Sequence, residues 1–167
     1  MAGSTTTPKK AERKYLAHYI DASFGGSTVN YVRLGKDLEE YNIELNPDVE
    51  TKKNILGENS VIQNGYEVQS EVDPYYYEYD DALSEKIAEI ANGRLLGDAN
   101  KTTAVDVLIG SSGTVEWAYR EDVYVVPKSI GGDTSGVQIP FTVYYAGNRT
   151  KGTFNNSTNT FTEATGS

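Results

Sequence analysis

A chain of 167 residues has room for one domain with a single core and short tails. It has no cysteine and one histidine, His18, which excludes disulfides, thiolate metal sites and a cysteine nucleophile and leaves little for a histidine-based triad or metal centre. The net charge is −9, and thirteen acids against three lysines place −10 of it in residues 35–81, which argues against tight DNA or RNA binding because such a surface repels phosphate.

Residues 1–14 (MAGSTTTPKKAERK) are small, polar and basic, with Lys9, Lys10, Arg13 and Lys14 against Glu12, and read as a flexible arm. No apolar stretch follows them as in a secretory leader, and no run approaches the ~20 apolar residues of a membrane span. The expectation is a protein made in a cytoplasm and not inserted in a membrane. The 16 glycines and 13 tyrosines, with many Thr and Val, favour strands and turns. Tyr15–Phe24 alternates as a strand, with Leu16, His18 and Ile20 on one face and Tyr15, Ala17 and Tyr19 on the other. Gly25-Gly26-Ser27 is a turn into a second strand, Thr28–Leu34, and the two suit a hairpin. Glu40–Leu45 is a short third strand.

The next segment, Leu45-Asn46-Pro47-Asp48-Val49-Glu50-Thr51-Lys52-Lys53-Asn54-Ile55-Leu56-Gly57, opens on a turn signal, is charged in the middle and ends on an isolated apolar pair. It does not alternate cleanly and reads as a long loop or arm with an apolar tip, a kind of segment that is usually functional. Ser60–Val72 is a strand interrupted at Asn64-Gly65, and Pro74–Tyr77 turns into an aromatic patch. A helix follows, with Asp80 as its N-cap, Asp81 in its first turn, and Leu83, Ile87, Ile90 and Ala91 as one apolar stripe. Asn92-Gly93 stops it. Thr102–Ile109, Thr114–Val126 and Val137–Ala146 are further strands. Gly110–Gly113 is a hairpin turn, Ser129–Gly136 a longer loop, and Gly152–Phe161 a last hairpin. Glu163 onwards is a short tail. The fold class is mainly β: two packed antiparallel sheets, as a β-sandwich or open barrel, with one flanking helix.

No motif carries a reaction. The glycine-rich turns at 110–113 and 131–132 lack the Lys-Ser/Thr of a phosphate loop. The acids between Asp37 and Asp81 do not follow calcium-loop spacing. Glu121 and Asp122 are adjacent on a strand, point to opposite faces and cannot flank one bond. His18 lies on an apolar face and reads as a core or interface residue. Tyr75–Tyr77 and Tyr79 read as packing residues rather than a base-stacking platform. The expectation is no catalytic residue, no metal site and no cofactor.

Three segments are similar to the major tail (tail tube) proteins of long-tailed bacteriophages: YVRLGKDLEEYNIELNPDVETKKNILGE (31–58), GYEVQSEVDPYYYEYDDALSEKI (65–87) and WAYREDVYVVPKSIGGDTSGVQIPFTVYYAGNRTKGTF (117–154). The resemblance implies a tail tube fold over residues 15–163. It implies six-membered rings of identical subunits, stacked into a tube whose lumen conducts DNA into the host without binding it specifically. It further implies that Leu45–Gly57 contacts a neighbouring subunit, and that the partners are other copies, the tape measure, the tail terminator and the baseplate or tail-tip proteins of a virion. A related phage-tail-like particle fits the same words. The competing class is a secreted or surface carbohydrate-binding β-sandwich. The tyrosine content allows it, whereas the single Trp117 and the lack of a leader oppose it.

Overall fold

The computed structural model describes residues 7–164. Residues 1–6 of the basic arm and 165–167 of the tail lie outside the described residues. Strand β1 (Leu16–Asp21) pairs antiparallel with β2 (Tyr31–Leu34) as the expected hairpin. Asp21 closes it: its carboxylate accepts from the Ser23 and Asn30 amides and the Ser23 hydroxyl, so the glycine turn is braced from one side chain. The third strand shrinks to β3 (Ile43–Glu44), because Tyr41 leaves the alternation to bury its ring and bond Ser70.

Residues 45–57 are not a loop for most of their length. Strand β4 (Pro47–Lys53) pairs with β5 (Asn59–Tyr66) in a two-stranded ribbon. The alternation that marks a half-buried strand is missing because the ribbon has no buried face. A bulge at Asn64-Gly65 shifts the register beside Asp48 and Val49. The expected Ser60–Val72 strand thus divides into β5 and β6 (Gln69–Val72).

Helix α1 spans Ala82–Gly93, and its cap is Asp81, one residue later than expected. The Asp81 carboxylate accepts from the Ser84 amide and hydroxyl, while Asp80 precedes it with a positive φ of 61°. Gly93 is still helical; Arg94 takes the left-handed closing position at φ 50°, donating its N–H to the last carbonyls. Leu83, Ile87 and Ile90 are fully buried, and Ala91 packs at the margin of the cluster that holds Leu83 and Ile87. Among the described residues no helix is long and apolar enough to cross a membrane.

Six more strands complete the fold. They are β7 (Lys101–Ile109), β8 (Val115–Pro127), β9 (Gly131–Asp133), β10 (Gly136–Gln138), β11 (Phe141–Asn155) and β12 (Thr160–Glu163). The expected 129–136 loop contains half of the small β9–β10 hairpin, and the expected Val137–Ala146 strand breaks at Ile139-Pro140. The main sheet is antiparallel, in the order β2-β1-β7-β8-β11-β6-β3, with β12 paired to the far half of β11.

This sheet curls into an open barrel rather than lying flat. Two irregularities in β11, around Gly147 at φ 106°, bend its second half. Phe154 then reaches Tyr19 at 4.5 Å between ring centres, and the Asn159 amide donates to the Tyr31 carbonyl at 3.4 Å. The bend brings the β12 end of the sheet back towards β2. Two cores result. On the helix side, Leu83 and Ile87 pack with Ile20, Val72, Val123, Val125, Phe141 and Val143. On the other side, Ala17, Tyr19, Tyr31, Val105, Val107, Ala118 and Phe154 pack together. Strand β1 is buried on both faces, so Tyr19 and Ile20 serve different cores.

Candidate interaction surface

The β4–β5 ribbon leaves the barrel between β3 and β6. Its base is fixed by Asn46, whose carbonyl and side-chain amide bond the backbone of Glu67. The cross-strand register puts Val49, Thr51 and Val61 on one face and Glu50, Lys52 and Ile62 on the other. Its end is a defined turn. Asn54 Oδ1 accepts from the Leu56 and Glu58 amides at 2.9 and 3.0 Å, and the Gly57 amide donates to the Asn54 carbonyl. Gly57 carries the positive φ, 81°, that this turn requires. The turn holds Ile55 outward at 103% exposure and Leu56 at 77%. A protruding ribbon tipped and faced by Ile55, Leu56, Val49 and Val61 is an apolar surface of the kind that marks a protein contact.

A second apolar feature lies beside the C-terminal end of α1. An open groove of about 780 Å³ is lined there by Ile90, Arg94, Leu96, Val126, Ile130 and Tyr144, among others. Leu96 is almost wholly exposed, and Val126, Ile130 and Tyr144 are partly so. Asn100 also lines it; its amide donates to the Leu95 carbonyl, while its Oδ1 is buried without a hydrogen-bond partner among the described residues. The helix stripe was legible in the sequence, but this groove was not. Its residues come from four separate stretches of chain, and no local pattern joins them.

A buried polar network stitches four strands of the sheet. His18 Nδ1 lies 2.7 Å from Asp106 Oδ1, and Arg149 Nη1 donates to Asp106 Oδ2 at 3.4 Å and to Glu121 Oε1 at 3.1 Å. Glu121 Oε2 accepts from the Gly147 amide, which ties the network to the bend in β11. On the other side, Arg13 donates to the carbonyls of Leu16 and Tyr41 and lies 3.1 Å from His18 Nε2. A guanidinium can only donate, so Nε2 accepts and Nδ1–H faces Asp106. The imidazole nitrogen that a catalytic base would turn to substrate is covered by Arg13, and the pair is used to hold strands together. Asp106, an acid set inside the apolar run Ala104–Ile109, is the one sequence signal for this cluster. Glu121 and Asp122 do point apart: Glu121 joins the network, and Asp122 accepts from the Asn148 amide at 2.9 Å.

Tyr75 packs edge-on against Phe141 and approaches the Ser84 and Asp81 side chains; its burial pushes its hydroxyl pKa up. Tyr79 is exposed and meets Tyr77 edge to face. Glu40, Glu44, Glu71 and Asp73 gather around Tyr41 and Asn42 at the β3–β6 edge. Lys128 pairs with Glu71 and approaches Asp73. Among the described residues no group of three or more Asp, Glu or His side chains is placed to hold a metal ion.

No protein-family model and no curated protein matches the chain. Among solved structures, it is similar to the tube-terminating cap of the anti-feeding prophage, determined by cryo-electron microscopy, at 11% identity and a TM-score of 0.55. The likeness extends over 90% of this chain and 96% of that one, so it is a likeness of the whole fold and not of a fragment.

Proposed function

We propose that this chain is a structural subunit of a phage tail or phage-tail-like particle, whose copies close into rings that stack as a tube. The observation that carries this reading is the β4–β5 ribbon. It buries nothing of its own, ends on a braced turn and presents Ile55 and Leu56 to water. Isolated two-stranded ribbons are marginal in water, so this one makes sense as a part completed by a partner. The shared fold with a tube-terminating cap and the resemblance of the 31–58, 65–87 and 117–154 segments to tail tube proteins support the same conclusion. In this reading the subunit is a scaffold and not an enzyme. Six copies form each ring, and the bore passes DNA without holding it. The tape measure, terminator and baseplate or tail-tip proteins are its neighbours in the virion.

The fold likeness favours one further reading, in which the ring closes the end of a tube instead of extending it. Electron microscopy of the purified chain tests both. Rings that stack into tubes of uniform bore support the tube subunit. Rings that never stack, yet bind the ends of tubes from the same particle, support the cap. A monomer at every concentration that binds glycans would replace both with the carbohydrate-binding module.

A further inference from the structure

We propose that the groove beside the C-terminal end of α1 receives the Ile55-Leu56 tip of a second copy of this chain. The inference rests on the assembly reading above and names the acceptor for the ribbon. Tip and groove match in chemistry. Two exposed aliphatic side chains meet a concavity whose exposed lining is Leu96, Ile130, Val126 and Tyr144. They also match in charge. Arg94 lines the groove, Glu58 follows the tip by two residues, and neither has an ion-pair partner among the described residues. Lys128, the other basic residue lining the groove, is already paired with Glu71.

The occupant must come from another molecule. Tyr144 of the groove is register partner to Gln69, three residues beyond Tyr66, where the ribbon begins. The groove therefore lies near the ribbon's base. The ribbon runs from the Pro47–Tyr66 pair to the Lys53–Asn59 pair, and at ~3.3 Å per residue its tip stands roughly 20 Å from that base. A chain cannot fold its own paired ribbon back onto its root. Because the donor and acceptor surfaces differ, the contact is head to tail, the type that generates closed rings or open helical stacks.

The absence of cysteine makes the test direct. Two singly substituted chains of different tag length, Leu56→Cys and Leu96→Cys, are mixed under assembling conditions and treated with a short bismaleimide. The expected product is a mixed dimer that appears only when both variants are present. Its yield should exceed at least fivefold that of Leu56→Cys with Tyr79→Cys, an exposed position outside the groove. The charge match predicts that Arg94→Glu lowers the yield and that Glu58→Arg in the partner chain restores it. Normal rings or tubes without the 56–96 product would overturn the acceptor site while leaving the assembly reading intact. No assembly by unsubstituted protein under any condition would remove both.

Discussion

His18 and Asp106 face each other across the β1–β7 pair, with 2.7 Å between Nδ1 and Oδ1 and both side chains almost fully buried. Asp106 also receives Arg149, so one carboxylate partners two basic groups. Removing one member of a buried pair strands the others away from water. Asp106→Ala is expected to lower stability by about 1–3 kcal/mol, because the buried His18 Nδ1–H loses its acceptor. Arg149→Ala should cost less, because its side chain is partly exposed and water can take over its role. Urea unfolding of the two variants checks the order. Equal losses would mean that Asp106 is not the centre of the network.

The helix is a structural strut. Leu83 is wholly buried between α1 and the sheet. Leu83→Ala should leave a cavity and cost about 2–5 kcal/mol, read from thermal or denaturant melts. Leu83→Met, which nearly conserves volume, should cost under about 1.5 kcal/mol. A melt unchanged by Leu83→Ala would remove the stripe from the core.

How much of this was readable beforehand depended on how local the cause was. The stripe Leu83, Ile87, Ile90 and Ala91 repeats within one helix, and the β1 alternation sets Ile20 against Tyr19, so both appeared in the sequence. The cap fell one residue away because Asp80 and Asp81 are chemically equal; only the Ser84 bonds to Asp81 choose between them. The ribbon is legible in the sequence as an arm but not as paired strands, since neither of its strands has a buried face to impose an apolar period. The inter-subunit role given to Leu45–Gly57 by resemblance remains a proposal. The Arg13–His18–Asp106–Arg149–Glu121 network joins residues more than a hundred positions apart, and no spacing rule points to it. The groove is hidden for the same reason.

Burial raises the hydroxyl pKa of five tyrosines. Tyr41 is pushed up to about 12, Tyr145 and Tyr75 are pushed well up, and Tyr19 and Tyr31 move in the same direction. Desolvation is the first cause in each, and the charge of Asp106 adds to it at Tyr145. A raised value means that the folded state favours the protonated form. The associated stability is complete below about pH 10, the unfolded value, and is lost as pH climbs through the folded values. Unfolding free energy should be flat from about pH 7 to 9 with respect to these groups and fall steeply above about 10. Tyr41→Phe should shrink that alkaline loss. A stability that holds unchanged to about pH 11.5 would contradict the burial of these hydroxyls.

The ribbon tip should matter to assembly and not to folding. Ile55 and Leu56 touch little of their own chain. Changing both to Asp should leave the melting transition within about 0.5 kcal/mol of the original. In an assembly each of those side chains, if buried, contributes roughly 1.5–3 kcal/mol at every contact. The expected product is a folded monomer that sediments alone at concentrations where, if the proposed function holds, the unsubstituted chain would assemble. Tubes of ordinary length from the double variant would show that the tip is dispensable.

Charge should set the conditions for stacking. The −10 segment contributes Glu40, Glu44, Glu71 and Asp73 to one sheet edge, where Lys128 meets only part of the charge. Carboxylates on an edge strand discourage random pairing of that edge. In the ring proposed above the same group would recur in every subunit, and stacking would repeat it along the axis, so the charges would repel one another. In the proposed tube, any that faced the bore would also repel phosphate. The repulsion between subunits has a consequence for assembly. Salt at about 0.15 M shortens the screening length to roughly 8 Å and relieves repulsion between exposed carboxylates. Stacking is therefore expected to be favoured by moderate salt over low salt. Light scattering across an ionic-strength series reads this directly. Glu40→Gln with Glu44→Gln should shift the onset to lower salt, because two charges leave the crowded edge while side-chain size is kept. An onset that moves with neither salt nor this pair of substitutions would mean that the acidic edge lies away from the contacts between subunits.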